Sequence, residues 1–513
     1  MTLGSEDSDL EIQDLLLLDH SSQKLITGDA DLDLKNGISI SAGEISSTGG
    51  SVSISNSTSL KGGAISISSG TFALGGEFTK SGGNLDLNDV TLSLLSDLQW
   101  SSDSLLDISF LALNDKALIL GDQFSDLKIV NPLSLDHPNE KLISGDADLE
   151  ISASVTIGDG ELSSNGGEVI FEEGIHLDGG KLEILNSILK VGVHFNKTVG
   201  TVLLNGTTLG LLSDLSITSD SLLSIGSLEL NESSLTLESD DTDLAIEQLL
   251  LLDDPNQKLI SGTADVDLNK GVDISAGEIS SASGTFSING SSKFSGGMIS
   301  LASGTFALGG DFTKNGGTLF LEDITFALLS DLQWTCNSLL EINQLELNNL
   351  ALTLGSESSD LKVNNPLILD QINEKLISGA ADLELNELLS ISNGELSSSG
   401  GEIRLNNGLD ISGGEVEFLN SSLLIGSELG SQVSLIQSGG SLLADTSSLQ
   451  LIQNLILQSI EGFSFQSLDL NSRELSLASE TSSLSLKEKL IFDLVSEKID
   501  TGSADLRLEG GIQ

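Results

Sequence analysis

Five copies of one phrase bring together side chains that are able to do chemistry. It reads QKLITGDADLDL at 23–34, EKLISGDADLEI at 140–151, QKLISGTADVDL at 257–268, EKLISGAADLEL at 374–385 and EKIDTGSADLRL at 497–508. Each copy has a lysine (Lys24, Lys141, Lys258, Lys375, Lys498), a glycine and a train of carboxylates. Carboxylates suit hard cations, and the Asp29, Asp31, Asp33 spacing matches the opening of a calcium loop. That loop also needs Gly at its sixth position and Glu at its twelfth; Leu34 and Ile40 stand there. The glycine-rich GGxGxDxUx calcium repeat is absent too. On a strand, Asp31 and Asp33 point outward and Leu32 and Leu34 inward. Asp148/Glu150, Asp265/Asp267 and Asp382/Glu384 keep that arrangement, and Asp505/Arg507 breaks it. The phrase therefore reads as a solvated face. No metal, cofactor or catalytic residue is assigned, beyond loose association of Ca²⁺ or other cations with an acidic surface.

The other reactive side chains read the same way. The five lysines are spaced 117, 117, 117 and 123 residues apart, too far to converge on one small ligand, so local ion pairs are expected. His20 and His137 are one repeat apart, while His176 and His194 are 18 residues apart and are candidates for stacking on neighbouring turns. Trp100 and Trp334 occupy equivalent places and are expected in the core; exposed, they would stack on sugar rings. Cys336 is the single cysteine, which excludes an intramolecular disulfide or a cysteine zinc cage. A polysaccharide-cleaving site needs a non-repeating cluster of acids with basic and aromatic neighbours. The chain has three arginines (Arg404, Arg473, Arg507), no tyrosine and largely periodic acids. It is expected not to be an enzyme.

What must position these residues is a repeat. GEISS or GELSS recurs at 43, 160, 277 and 394, and SDL at 96, 213 and 330. The stretch 72–100 matches 306–334 at 21 of 29 positions, whereas 166–186 returns at 400–420. The order is A-B-A-B: units 15–131 (A), 132–248 (B), 249–365 (A) and 366–488 (B, with six extra residues in 427–439), and partial units 1–14 and 489–513. Residues 1–19 align with 118–136 from the first position, so both ends are expected to cut through a longer polypeptide.

Inside a unit, runs such as ADLDL, SVSIS, TFAL and DVTLSL alternate with period two between GG, SG, NG and GD pairs, at about 16 to 22 residues apart. Six steps of about 19.5 residues would make one 117-residue unit. EQLLLLDD (247–254) and SSLQLIQNLILQSI (447–460) are the only helix-like stretches, and both align with strands elsewhere. The expected fold is all-β: a right-handed parallel β-helix, or β-solenoid, with about 20 residues per rung and about 26 rungs, stacked to a rod on the order of 125 Å. A β-propeller is the competing architecture.

Charge sets the partners. The chain carries 76 Asp+Glu against 22 Lys+Arg, a net −54, which excludes nucleic acid and anionic membrane surfaces, both bound through Lys and Arg. No apolar run reaches the ~18–20 residues of a spanning helix, so no direct membrane insertion is expected. Mixed outward Ser, Asp, Asn and Thr disfavour an ice-binding face, which would show flat threonine ladders.

The ~20-residue rungs, Gly-Ser-Asn turns, scarce cysteine and acidic surface resemble the repetitive stalks of filamentous-haemagglutinin-like and autotransporter adhesins of Gram-negative bacteria. That resemblance implies a secreted or surface-anchored stalk at the bacterial cell surface, meeting host or environmental glycans or proteins. The first expectation is thus an extracellular structural or adhesive stalk without catalysis. A multivalent glycan-binding solenoid is the alternative, and a β-helix polysaccharide-degrading enzyme fragment the third reading.

Overall fold

Short alternating segments can bury their apolar side only by stacking on a neighbour, and this chain does so throughout. The computed structural model describes residues 1–3, 7–87, 89–430 and 432–513. Among them there is no helix; every ladder between strands is parallel. The fold is a β-solenoid of about 25 turns, as the repeat predicts, and not a propeller. It divides into two compact units, Met1–Gln248 with Asn256–Ala264, and Leu249–Pro255 with Asp265–Gln513.

In the first unit each turn lays down three strands on three faces. Leu10–Ile12, Leu16–Leu18 and Lys24–Gly28 begin the faces; Leu32–Leu34, Ile38–Ile40 and Glu44–Ser47 stack on them in register. Leu10↔Leu32, Leu16↔Ile38 and Leu25↔Ile45 are typical vertical pairs, and the inward members are almost fully buried from the second turn onward. The pleat thus converts period-two patterning into apolar columns running turn to turn. Some columns are aromatic: Phe78 stacks on Trp100 at 3.8 Å and, in the second unit, Phe312 on Trp334 at 4.6 Å, beside a column of Phe286, Phe306 and Phe326. Both tryptophans are 0% exposed, which removes them as sugar-stacking platforms.

The six-turn reading of the 117-residue unit is corrected. Gly70–Lys80 and Val90–Ser101 each round a corner and serve two faces. Leu106–Ile108 and Phe110–Ala112, by contrast, lie one residue apart yet pair with different turns. Counting the strands this way, one repeat falls one strand short of six complete turns. Successive copies of a phrase therefore step round the solenoid by one face. Lys24–Gly28 continues into Glu44–Ser47, Ala64–Ile67 and Asn84–Leu87. Lys141–Gly145 stands instead on the column of 98–100 and Ala117–Leu120, and Lys258–Gly262 on that of Leu215–Thr218 and Ser234–Leu237. Lys24, Lys141 and Lys258 thus stand on three different faces.

The second unit repeats the plan. Lys375–Gly379 follows Leu332–Cys336 and Ala351–Leu354, whereas Lys498–Asp500 follows Asn454–Ser459 and Glu474–Leu477. The six extra residues lengthen one turn: Leu389↔Leu409 is a step of 20, but Leu409↔Leu435 and Leu423↔Leu449 are steps of 26. They form a corner loop at whose tip Leu429 is 100% exposed.

Candidate functional site

The repeated phrase is the natural place to look for a site, and its lysines and many of its carboxylates are already engaged within the fold, although Asp33 Oδ1 is buried without a hydrogen-bond partner. In the copy at 140–151, Glu140 Oε2 accepts the backbone N–H groups of Asp136 (2.8 Å) and His137, closing the turn before it. Gln23, Glu374 and Glu497 do the same in their copies. Lys141 pairs with Glu161 of the GELSS phrase one turn on, at 2.7 Å. Lys24–Glu44 and Lys375–Glu395, each 2.5 Å, are the same bond, and Lys498 reaches back to Glu474 at 2.7 Å. Leu142 enters the core, and Ser144 is buried beneath it. Gly145 takes φ 59° at a break in register, a left-handed bulge where a side chain would be strained. Ala147 follows at 0% exposure.

The carboxylates form the third device. Asp148 Oδ1 accepts the backbone N–H of Glu168 at 2.7 Å, and the N–H of Asp148 goes to Asp126 Oδ1 at 3.0 Å. Asp9–Asp31–Ser51 and Asp360–Asp382–Glu402 are the same ladder. Each aspartate thus satisfies the strand-entry N–H of the next turn, a donor that would otherwise have no partner. A second set, at Asp97, Asp214 and Asp331, caps Ala117, Ser234 and Ala351, and the fourth member is Asn454, capping Glu474 at 2.9 Å. Asparagine filling the same role shows that the acceptor oxygen, and not the charge, is what the position uses. The Ser234 N–H also holds the Asp214 carboxyl below its usual range. Asparagines stack into a further ladder in the second unit, from Asp323 through Asn343, Asn364 and Asn386 to Asn406.

The histidines do not assemble a site. His176 stacks on Asn196, not on His194, and its Nε2 lies 2.9 Å from Asp178. His137 pairs with Asp115 at 3.1 Å, and His20 with Ser22. Among the described residues no group of three or more His, Cys, Asp or Glu side chains is arranged to hold a metal ion.

Three lysines that are not part of the phrase are, among the described residues, the most deeply placed cations. Lys80, Lys197 and Lys314 are 8%, 5% and 5% exposed, on the inward side of their strands. Lys80 pairs with Asp103 and Ser104, and Lys197 with Asp220 and Ser221, one turn on. Lys314 instead meets Asn337 at 3.2 Å and Ser338 at 3.3 Å, and Gln437 takes the fourth place. The signal is legible in the alternation: Phe78 inward, Thr79 outward, Lys80 inward. Lysine is so rarely buried that composition alone directs attention away from it. Cys336, buried, occupies the place of Ser102, Ser219 and Ser459 in this corner, its N–H bonded to Ser359 Oγ at 2.9 Å. The set is a corner brace inside each repeat.

Acid should weaken these bonds in a defined direction. The hydrogen bond from Lys141, helped by Lys181, holds Glu161 below its usual range against the opposing effect of burial. A depressed folded-state value gives stability that is present above the unfolded carboxylate pKa and lost as pH falls through the folded one. Lys141→Met is therefore expected to melt lower than the parent at pH 7, by about 0.5 kcal/mol, the scale of a part-exposed pair. The difference should shrink as pH is taken from 7 into acid through the depressed folded value, where Glu161 becomes protonated in both. A gap of equal size at pH 7 and in acid would show that packing and not the ion pair sets it.

The fold and these ladders define the class: a parallel β-solenoid whose recurring polar residues bond turn to turn. No family model, curated protein or solved structure matches the chain.

Proposed function

We propose that the protein is a structural solenoid, part of a large repetitive bacterial surface or secreted protein, whose task is to present a hydrated acidic surface without catalysis. The observation that carries this reading is the use of the repeated polar groups. Phrase lysines pair with acids of neighbouring turns, and recurring aspartates such as Asp31, Asp148 and Asp382 cap backbone N–H groups of the next turn, which leaves them in structural service. The two tryptophans, the best sugar platforms in the sequence, are buried, which favours the stalk over the glycan-binding alternative. Antibody raised against the purified chain tests the location: it should label intact source cells or their culture medium. Labelling only after permeabilisation would contradict an extracellular role.

Loose cation association belongs to the same reading. Like charges meet at successive turns, as in Glu11↔Asp33 and Glu395↔Glu415. At 4.8 Å in water such a pair repels by about 0.9 kcal/mol, less once salt screens it. Millimolar Ca²⁺ or added NaCl should raise the melting temperature. Superimposable melts in EDTA, Ca²⁺ and high salt would remove the proposal.

A further inference from the structure

The ladders are not continuous. The sheet that begins at Lys24–Gly28 ends at Asn84–Leu87, and the next strand on that face, Leu106–Ile108, pairs only forward, with Leu127–Ile129. The same break recurs in the second unit: Thr318–Leu321 pairs only back with Met298–Leu301, and Leu340–Ile342 begins a new sheet. It recurs again between Ser441–Leu443, the last strand of its sheet, and Phe463–Phe465, the first of the next.

Three observations distinguish these seams from ordinary corners. First, one edge of the backbone has no paired strand and faces a cleft whose far wall is Leu105–Ile108. Asn84 N–H bonds back to Gly63, so by the alternation of a parallel ladder Leu85 and Leu87 turn their N–H and C=O groups toward the seam. Among the described residues no strand meets them there. Second, inward side chains lose cover: Leu85, Leu319, Leu321 and Leu442 are half-buried, whereas inward leucines of other strands are almost fully buried. Outward apolar residues gather beside them, with Leu105, Phe320, Leu339, Leu443 and Ile460 each about half exposed. Third, the first seam is lined by a cleft of about 460 Å³ to which Asp89 and Asp107 contribute carboxylates, with no basic residue in the lining. An open strand edge of this kind is ordinarily shielded by lysine, proline or a covering loop. Here it is apolar and acidic.

We infer that these seams take an added strand: an extended peptide segment of a partner protein, alternating apolar and basic residues, which completes the ladder over Leu85–Leu87. The backbone supplies register, the half-covered leucines supply apolar pockets at alternate positions, and the aspartates select Lys or Arg between them. A second copy of this chain is disfavoured as occupant by its own net charge of −54.

The test uses the whole chain and a fluorescein-labelled peptide, Lys-Val-Lys-Val-Lys-Val-Lys, at 150 mM salt. Anisotropy should report binding, and hydrogen exchange at 84–87 and 318–321 should slow at least tenfold while other strands are unmoved. The same peptide N-methylated at alternate backbone amides, and its Glu-Val counterpart, should bind at least tenfold more weakly. Asp107→Lys should abolish protection at 84–87 and leave 318–321 protected, which also shows that the variant is folded. Absence of binding, equal binding of the N-methylated peptide, or binding without local protection (charge adsorption only) would each overturn the inference.

Discussion

Replacing Gly192 by alanine is expected to cost about 3 kcal/mol, the upper range for forced overpacking. The added Cβ would lie 1.7 Å from the Glu172 carbonyl oxygen and 2.8 Å from its carbon, atoms of the turn before it. Neither is the end of a flexible side chain, and Gly192 N–H is bonded to Phe171 O at 2.9 Å, so the two turns must part. Gly28→Ala makes the control. Its Cβ would meet nothing within 4 Å, and only the left-handed φ of 61° is strained, at about 1 kcal/mol. In a solenoid each turn leans only on its neighbours, so the damage should stay local. Hydrogen exchange should accelerate in Glu168–Phe171 and 208–211 before distant strands respond. Equal losses for the two variants would show that turns are not in the contact described here.

The second large effect concerns the buried lysines. Asp220→Ala leaves the ammonium of Lys197, 5% exposed, with Ser221 as its remaining partner. Lys197→Met removes the charge and keeps the volume, and is expected to stay within about 1 kcal/mol of the parent. Asp220→Ala should therefore melt below Lys197→Met, and the double variant should return to the level of Lys197→Met. Lys197 holds the Asp220 carboxyl below its usual range, so the penalty of Asp220→Ala should be full at neutral pH and shrink as acid protonates Asp220 in the parent. The chain contains its own version of this series. Lys–Asp at 80/103 and 197/220 becomes Lys–Asn at 314/337, and then Gln437 with Ile460 in the aspartate's place. Asn337→Asp is accordingly expected to raise the stability of the second unit. Melting temperatures at pH 7 check all four variants, and Asp220→Ala indistinguishable from Lys197→Met would exclude a desolvated charge.

Much of this architecture is legible in the sequence because a strand advertises its two sides. ADLDL and SVSIS could be assigned inward and outward residues at sight, and Leu32, Leu34, Val52 and Ile54 are where alternation puts them. The interior position of the two tryptophans and the local pairing of the phrase lysines followed equally. The number of strands per repeat did not. Copy length fixes where a phrase recurs, but strands per copy depend on how sharply each corner turns. The run SLLDISFLAL at 104–113 reads as one step while its chain breaks at Ser109 into strands on two faces. The seams arise at the same corner, and no residue pattern announces a missing neighbour. The partners of the carboxylates were also hidden, because an outward aspartate reads as solvated whether or not a backbone N–H from the next turn reaches it.

The central claim is that the repeated carboxylates are hydrogen-bond acceptors for the next turn and not a ligand set. Asp148 decides it, through Asp148→Asn and Asp148→Ala, measured by hydrogen exchange at the Glu168 amide with and without millimolar Ca²⁺. Asparagine keeps an oxygen where Oδ1 stands, as Asn454 does in its own ladder, and should retain protection within about 0.5 kcal/mol of the parent, while alanine strands the N–H and loses about 1–2 kcal/mol. If asparagine is as damaging as alanine, and Ca²⁺ protects this amide in the parent but in neither variant, the charge is the working part and the phrase is a cation site after all.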